Sequence, residues 1–104
     1  MLEDLGSDQG IDLELFKGYK PGSGLGSSAA SGVSAAFGLN ELMGKRFSSN
    51  ELLEYGRYGE NVASGAFICD NVSSALFGGI NLVRCYHPLD VMRLPVPEEL
   101  HVVA

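Results

Sequence analysis

Gly22, Gly24 and Gly26 alternate with Ser23 and Leu25, and Ser27-Ser28-Ala29-Ala30-Ser31 follows without a break. Glycine carries no Cβ to hold a ligand off the backbone and reaches dihedral angles that other residues avoid. Alanine favours helix. The stretch from Lys20 to Gly32 therefore reads as a glycine loop feeding a helix N-terminus. Free N–H groups and the positive end of the helix dipole at such an end suit a phosphate. A Walker A loop needs Lys directly after its last glycine, and Ser27 stands there instead. A dinucleotide loop fits the letters better, since Gly24-Leu-Gly26-Ser-Ser-Ala29 has the form G-x-G-x-x-A. That motif leaves a buried parallel strand with almost no spacer. Ile11-Asp-Leu-Glu-Leu-Phe16 alternates instead, as a half-exposed antiparallel strand does, and four residues, Gly18 to Pro21, intervene. The acidic residue due about 20 positions on would be Glu41, inside a helical pattern.

Two carboxylates are the other candidates for chemistry. Glu60 falls in the last turns of an expected helix, where the dipole disfavours an anion by several tenths of a kcal/mol. A nearby cation would reverse that sign; an ordinary exposed Glu is the plain alternative. Asp70-Asn71 opens a short helical segment, and a plain N-cap explains Asp70 without any function. The two roles are compatible, because a cap is also a rigid perch for a carboxylate.

The elements that must hold these groups follow from periodicity. Ile11, Leu13 and Leu15 share one face of a strand, with Asp12 and Glu14 on the other. A first main helix is expected from about Ser27 to Met43, with Ala29, Val33, Ala36 and Phe37 on its apolar face and Gly44 as its stop. Lys45 and Arg46 then complement the dipole as solvated charges. Ser48-Ser-Asn-Glu51 is a capping box announcing a second helix to about Ala63. Its apolar stripe would be Leu52, Tyr55, Gly59 and Val62. Gly56 and Gly59 inside it each cost about 1 kcal/mol against Ala, which suggests close approach to another backbone. Strands are expected at Ile80–Tyr86, Asp90–Leu94 and from Leu100 to the end, with a turn at His87-Pro88. Met1 to Gly10 reads as a flexible, acidic loop.

The chain has 104 residues, a net charge of −6 and a pI near 4.7. Without a Lys/Arg cluster, nucleic acid is not an expected partner. An acidic chain that binds phosphate is expected to do so with backbone dipoles and metal rather than side-chain cations. No apolar run approaches the roughly 18 residues of a membrane span, so no membrane partner is expected either. Cys69 and Cys85 lack metal-site spacing and read as reduced thiols of a cytoplasmic protein.

The glycine stretch also resembles the second motif of the GHMP kinases, P-x-x-x-G-L-G-S-S-A-A. Lys17-Gly-Tyr-Lys-Pro21, Ala30-Ser31 and Asn40-Glu-Leu42 are similar to the homoserine kinase branch of that family. A second block agrees in order and spacing: Gly59-Glu60, Ala63-Ser-Gly65, Asp70-Asn-Val72 and Gly78-Gly79. The resemblance implies an α+β fold. This would be part of a GHMP kinase N-terminal domain (ribosomal protein S5 domain 2-like), with helices packed on a mostly antiparallel sheet. It implies a partial domain over residues 11–104, truncated at both ends, because such kinases are roughly twice this length or more. It implies ATP, Mg2+ and L-homoserine as cofactors and substrate, giving O-phospho-L-homoserine in threonine biosynthesis. Other acceptors of the family, such as mevalonate, a sugar or shikimate, remain open, as does a non-catalytic phosphate-binding or assembly module.

Residue by residue, the resemblance places ATP on Pro21, Gly22, Ser23, Gly24, Leu25, Gly26, Ser27, Ser28, Ala29, Ala30 and Ser31. It places the metal on Ser28 and Glu60, and the acceptor on Asp70 and Asn71, for positioning first and base catalysis second. Three departures stand out. Ile68 replaces a family His two residues before the Asp, Ser73-Ser74 replaces Ala-Pro, and Pro21 sits one place late. Uncovered strand edges and apolar surface imply a homo-oligomer.

Overall fold

The computed structural model describes residues 1–103. Four helices precede one antiparallel hairpin: α1 (Leu2–Leu5), α2 (Ser27–Leu42), α3 (Ser49–Ser64), α4 (Asp70–Phe77), β1 (Ile80–Tyr86) and β2 (Leu89–Leu94). The architecture is α+β.

The core lies where α2, α3 and α4 meet. Ala29, Val33, Leu53, Cys69 and Val72 are buried together, and Leu76, Phe77, Val83, Leu89 and Val91 pack against them. The hairpin joins this core through one face only. Val83 pairs with Val91 across the strands, while Ile80 and Leu82 of β1 remain exposed.

The α2–α3 seam is made by the absence of side chains. A Cβ on Gly56 would lie 2.6 Å from Val72 Cγ1 and 3.1 Å from Val33 Cγ2, closer than packed carbons tolerate. A Cβ on Gly59 would meet Gly32 Cα at 3.5 Å. The expected close approach to a backbone is met where Gly59 lies against Gly32, at ordinary contact distance, while Gly56 is held to glycine by the Val72 and Val33 side chains. α2 and α3 pack against each other and are joined by only residues 43–48, so they form an antiparallel helical hairpin.

The capping box forms as read. Ser48 Oγ accepts from the Glu51 N–H, and the Glu51 carboxylate accepts the Ser48 N–H at 2.8 Å. The Ser48 hydroxyl also donates to that carboxylate at 2.7 Å, and this bond, followed by the one from the Ser48 N–H, holds the Glu51 carboxyl below its ordinary pKa. The α2–α3 turn is braced by buried Asn40, whose amide donates to the Phe47 carbonyl and accepts its N–H.

Several expectations are corrected. Ile11–Phe16 forms no strand, because no described segment offers it a partner; Leu13, Leu15 and Phe16 stay exposed. Residues 100–103 form none for the same reason, and Ala104 lies outside the described residues. Met1 to Gly10 is not all loop: one turn of helix forms at Leu2–Leu5, where Asp4 accepts a short hydrogen bond from Tyr55. Phe37 and Val62 lie off the buried stripes, at 49% and 88% exposure. The buried face of α3 is Leu52, Leu53, Gly56 and Arg57. Leu52 and Leu53 turn inward together with Gly56, whose missing side chain lets that face close on Val33 and Val72.

Candidate functional site

The glycine loop enters α2 with an uncapped end. Gly22, Gly24 and Gly26 have φ of 80°, 80° and 70°, a region that L side chains resist. Gly26 is the N-cap and contributes no side chain, so no side-chain cap closes the helix. The first helical bond runs from Ala30 N–H to the Gly26 carbonyl at 3.0 Å. The amides of Ser27, Ser28 and Ala29 are therefore left without intrahelical partners. Those open N–H groups are what an anion would meet.

The other expected residues divide in role. Pro21 through Leu25 are exposed on the loop. Ala29 is buried in the core and offers only its backbone. The Ala30 N–H is committed to the helix, and the Ser31 hydroxyl donates to the Ser27 carbonyl at 2.9 Å. Neither has a free polar group facing the loop through those atoms.

Asn71 is brought against this end. A Cβ on Gly26 would lie 3.5 Å from Asn71 Cγ and 3.6 Å from Asn71 Oδ1. These are ordinary contact distances: the amide side chain rests against the start of α2, and what asks for glycine there is the φ of 70° rather than the space. Asp70 is not the N-cap expected from the sequence: Cys69 holds that place, and Asp70 is the first helical residue. Its Oδ1 accepts the Asn71 N–H at 2.7 Å, and its second carboxylate oxygen is free for another donor. The Ser73 hydroxyl donates to the Asp70 carbonyl at 2.9 Å from a fully buried position, which gives one of the two departing serines a structural task.

Glu60 sits on α3 beside Gly59. Its Oε2 is inaccessible to water and has no hydrogen-bond partner. A buried acceptor left unmade costs about 1–3 kcal/mol, more if charged, so this oxygen wants a cation or donor. Ser28 is exposed one turn before Gly32. Since the helices run antiparallel across the Gly32–Gly59 contact, Ser28 and Glu60 lie at the same end of the seam. A hydroxyl and a carboxylate are hard oxygen donors of the kind magnesium takes. Among the described residues no three His, Cys, Asp or Glu side chains are grouped for a metal. A cation here would have to complete its shell with phosphate and water. The residues present fit that requirement.

The sequence reading missed Lys17. Its ammonium donates to Ser27 Oγ at 3.2 Å, which brings a side-chain cation to the loop, contrary to the expectation of dipoles and metal alone. The sequence marked Lys17 only as the start of the Lys17–Pro21 motif; the fold is what brings its ammonium to the loop. The cleft at this place is small, about 90 Å3, lined by Lys17, Ser27, Ala30 and Ser31 among others. A much larger groove of about 650 Å3 runs beside the later turns of α2, lined by Ile11, Leu13, Leu39, Leu42 and Tyr58. It is mainly apolar and contains no glycine-loop residue, so its size does not make it the seat of phosphate chemistry.

Comparison with known proteins gives the family. Residues 1–79 match the family described as GHMP kinases N terminal domain, and the chain belongs to that family. Over 102 residues it is 49% identical to a homoserine kinase of Methanococcus maripaludis, covering 98% of this chain and 34% of that protein. A homoserine kinase of Chlorobium phaeobacteroides is 46% identical over 90 residues, covering 86% of this chain and 28% of that protein. The crystal structure of homoserine kinase from Cytophaga hutchinsonii superposes with a TM-score of 0.84 at 50% identity, over 92% of this chain and 30% of that one. The chain thus spans about a third of the length of the curated relatives it matches.

Proposed function

We propose that this chain forms the phosphate-holding part of an ATP-dependent kinase that phosphorylates the hydroxyl of L-homoserine. The observation that carries the reading is the meeting of three features at one end of the α2–α3 seam. These are the uncapped amides of α2, the partnerless Glu60 Oε2, and Asn71 against Gly26. The identity to homoserine kinases from several organisms supports homoserine over the family's other alcohols.

In this reading the N–H groups of Ser27, Ser28 and Ala29, with the glycine-loop backbone, hold the nucleotide's phosphates. Lys17 adds charge at the loop's edge. Ser28 and Glu60 hold Mg2+, which when bound neutralises phosphate charge. Asp70 and Asn71 orient the acceptor hydroxyl. In a loose transition state that proton can leave late, so Asp70 acts first by position and second as a base. Ile68 lies before Cys69 at 43% exposure and supplies no polar contact to the acceptor. The remaining acceptor contacts then come from outside these residues. The chain alone binds Mg-ATP weakly and turns nothing over. Exposed Leu13, Phe16 and Leu42 favour self-association. No described helix is long and apolar enough to cross a membrane, and the setting proposed is the cytoplasm.

The test is turnover by the complete gene product containing this chain, with ATP, Mg2+ and each alcohol in turn. ADP release that requires homoserine, with mevalonate, sugars and shikimate inert, is the expected result. Preference for another alcohol would move the acceptor assignment. No phosphoryl transfer to any of them would leave a phosphate-binding module.

A further inference from the structure

Arg57 is a buried cation that the reaction above does not use. Only 5% of it is exposed, and it sits on the inward face of α3. Its Nη1 donates to both carboxylate oxygens of Glu54, at 3.0 and 2.8 Å. Its guanidinium carbon lies 5.2 Å from the centre of the Tyr86 ring and 5.9 Å from that of Phe67. Both distances are within the range of a cation–π contact. Phe67 also packs edge-on against Tyr58, with centroids 5.4 Å apart. The Cys69 thiol feels the same guanidinium: burial pushes its pKa up to about 11, and the Arg57 charge pulls the other way.

These partners come from three separate places. Glu54 is one turn back on α3, Tyr86 ends β1, and Phe67 lies in the short link between α3 and α4. That link ends at Cys69, the N-cap of α4, and the next two residues are Asp70 and Asn71. A planar, permanently charged guanidinium can bond a carboxylate through its edge while its flat face lies over rings; an ammonium is a compact point charge without that face. From this geometry we infer that Arg57 is a positioning residue. It clamps the 65–69 link between helix and hairpin, and so sets where Asp70 and Asn71 stand relative to the start of α2. Its Nε has no partner and is shut from water. An arginine kept in the core at that cost is more than a solvated charge.

The inference rests on the proposed reaction for its kinetic readout. The experiment compares wild type, R57M and R57K in the complete gene product. It follows acceptor kinetics, Mg-ATP affinity by titration, and amide hydrogen exchange. A small displacement of reacting groups is worth about tenfold to hundredfold in rate. The expected result for R57M is a fall of that order in kcat/KM for the acceptor, with the Mg-ATP Kd within about twofold of wild type. Exchange should quicken across residues 66–71 and stay unchanged along α2. R57K keeps the charge without the fork and should resemble R57M. Wild-type acceptor kinetics and exchange in R57M would overturn the inference. So would an equal loss of acceptor and nucleotide affinity with exchange quickened everywhere, the mark of a merely structural role. If R57M does not fold, Phe67→Leu removes one ring contact and should give the same pattern in weaker form; its absence would overturn the inference equally. If wild type phosphorylates no alcohol, the proposed reaction has failed, and exchange at residues 66–71 alone decides Arg57.

Discussion

The two long helices have the same length, 16 residues each, and begin in opposite ways. α3 is sealed: Ser48 and Glu51 close its first turn with their own side chains. α2 begins at a glycine that contributes no cap, with Asn71 beside it and Lys17 reaching its first serine. A protein that can seal one helix with four residues has left the other open. The sealed end serves stability, and the open end is available to a ligand. Substitutions at one should therefore move folding, and at the other binding and turnover.

The largest effect is expected at the open end. Asp70→Ala should lower turnover of the complete gene product by about a hundredfold or more while leaving its melting temperature close to wild type, because this side chain is exposed. A modest loss would mean that Asp70 is only a helix-start residue. Next is the seam that aligns the two helices. Gly56→Ala introduces a Cβ 2.6 Å from Val72 Cγ1 and should cost about 1–3 kcal/mol of stability in a denaturant titration, despite the better helix propensity of alanine. Unchanged stability would show that α4 yields easily.

Ser48→Ala at the sealed end should cost about 1 kcal/mol and leave nucleotide affinity untouched. The Glu51 pKa is depressed in the folded state, mainly by the Ser48 hydroxyl. Its contribution is therefore present above the ordinary carboxylate pKa and lost as pH falls through the folded value. That acid-side loss should shrink in Ser48→Ala. The smallest effect concerns Cys69, whose thiol burial raises from 9.0 to about 11. A raised folded pKa means stability is full below about 9 and declines as pH climbs through about 11. Thermal melts should show this alkaline decline, and Cys69→Ala should remove that part of it.

How much was legible beforehand follows the same contrast. Local signals were readable: the Ser48–Glu51 box and the glycine loop are set by neighbours in sequence. Gly56 and Gly59 announced a close approach through their unfavourable propensity, though not which helix they would meet. Signals that need a distant partner were not readable. Ile11–Phe16 alternates as a strand should, yet strand identity belongs to a pair, and no partner is among the described residues. Lys17 meets Ser27, and Arg57 meets Phe67 and Tyr86, only through folding, so those contacts leave no mark in the neighbouring sequence. Asp70 was off by one position as a cap because Cys69, a poor capping residue, holds the place without a side-chain bond. The family motifs were legible, and the resemblance already put Ser28 and Glu60 on one metal; the packing of α2 on α3 through Gly32 and Gly59 was not legible.

The central claim is that a cation shared by Ser28 and Glu60 ties a nucleotide's phosphates to the open end of α2. Nucleotide titration into the complete gene product, wild type and Glu60→Gln, with and without magnesium, tests it most directly. Wild type should bind ATP more tightly with magnesium present. Glu60→Gln should lose that magnesium dependence while keeping the weaker, metal-free binding that the amides alone supply. An intact magnesium dependence in Glu60→Gln would contradict the claim and leave Glu60 a buried carboxylate without a metal role.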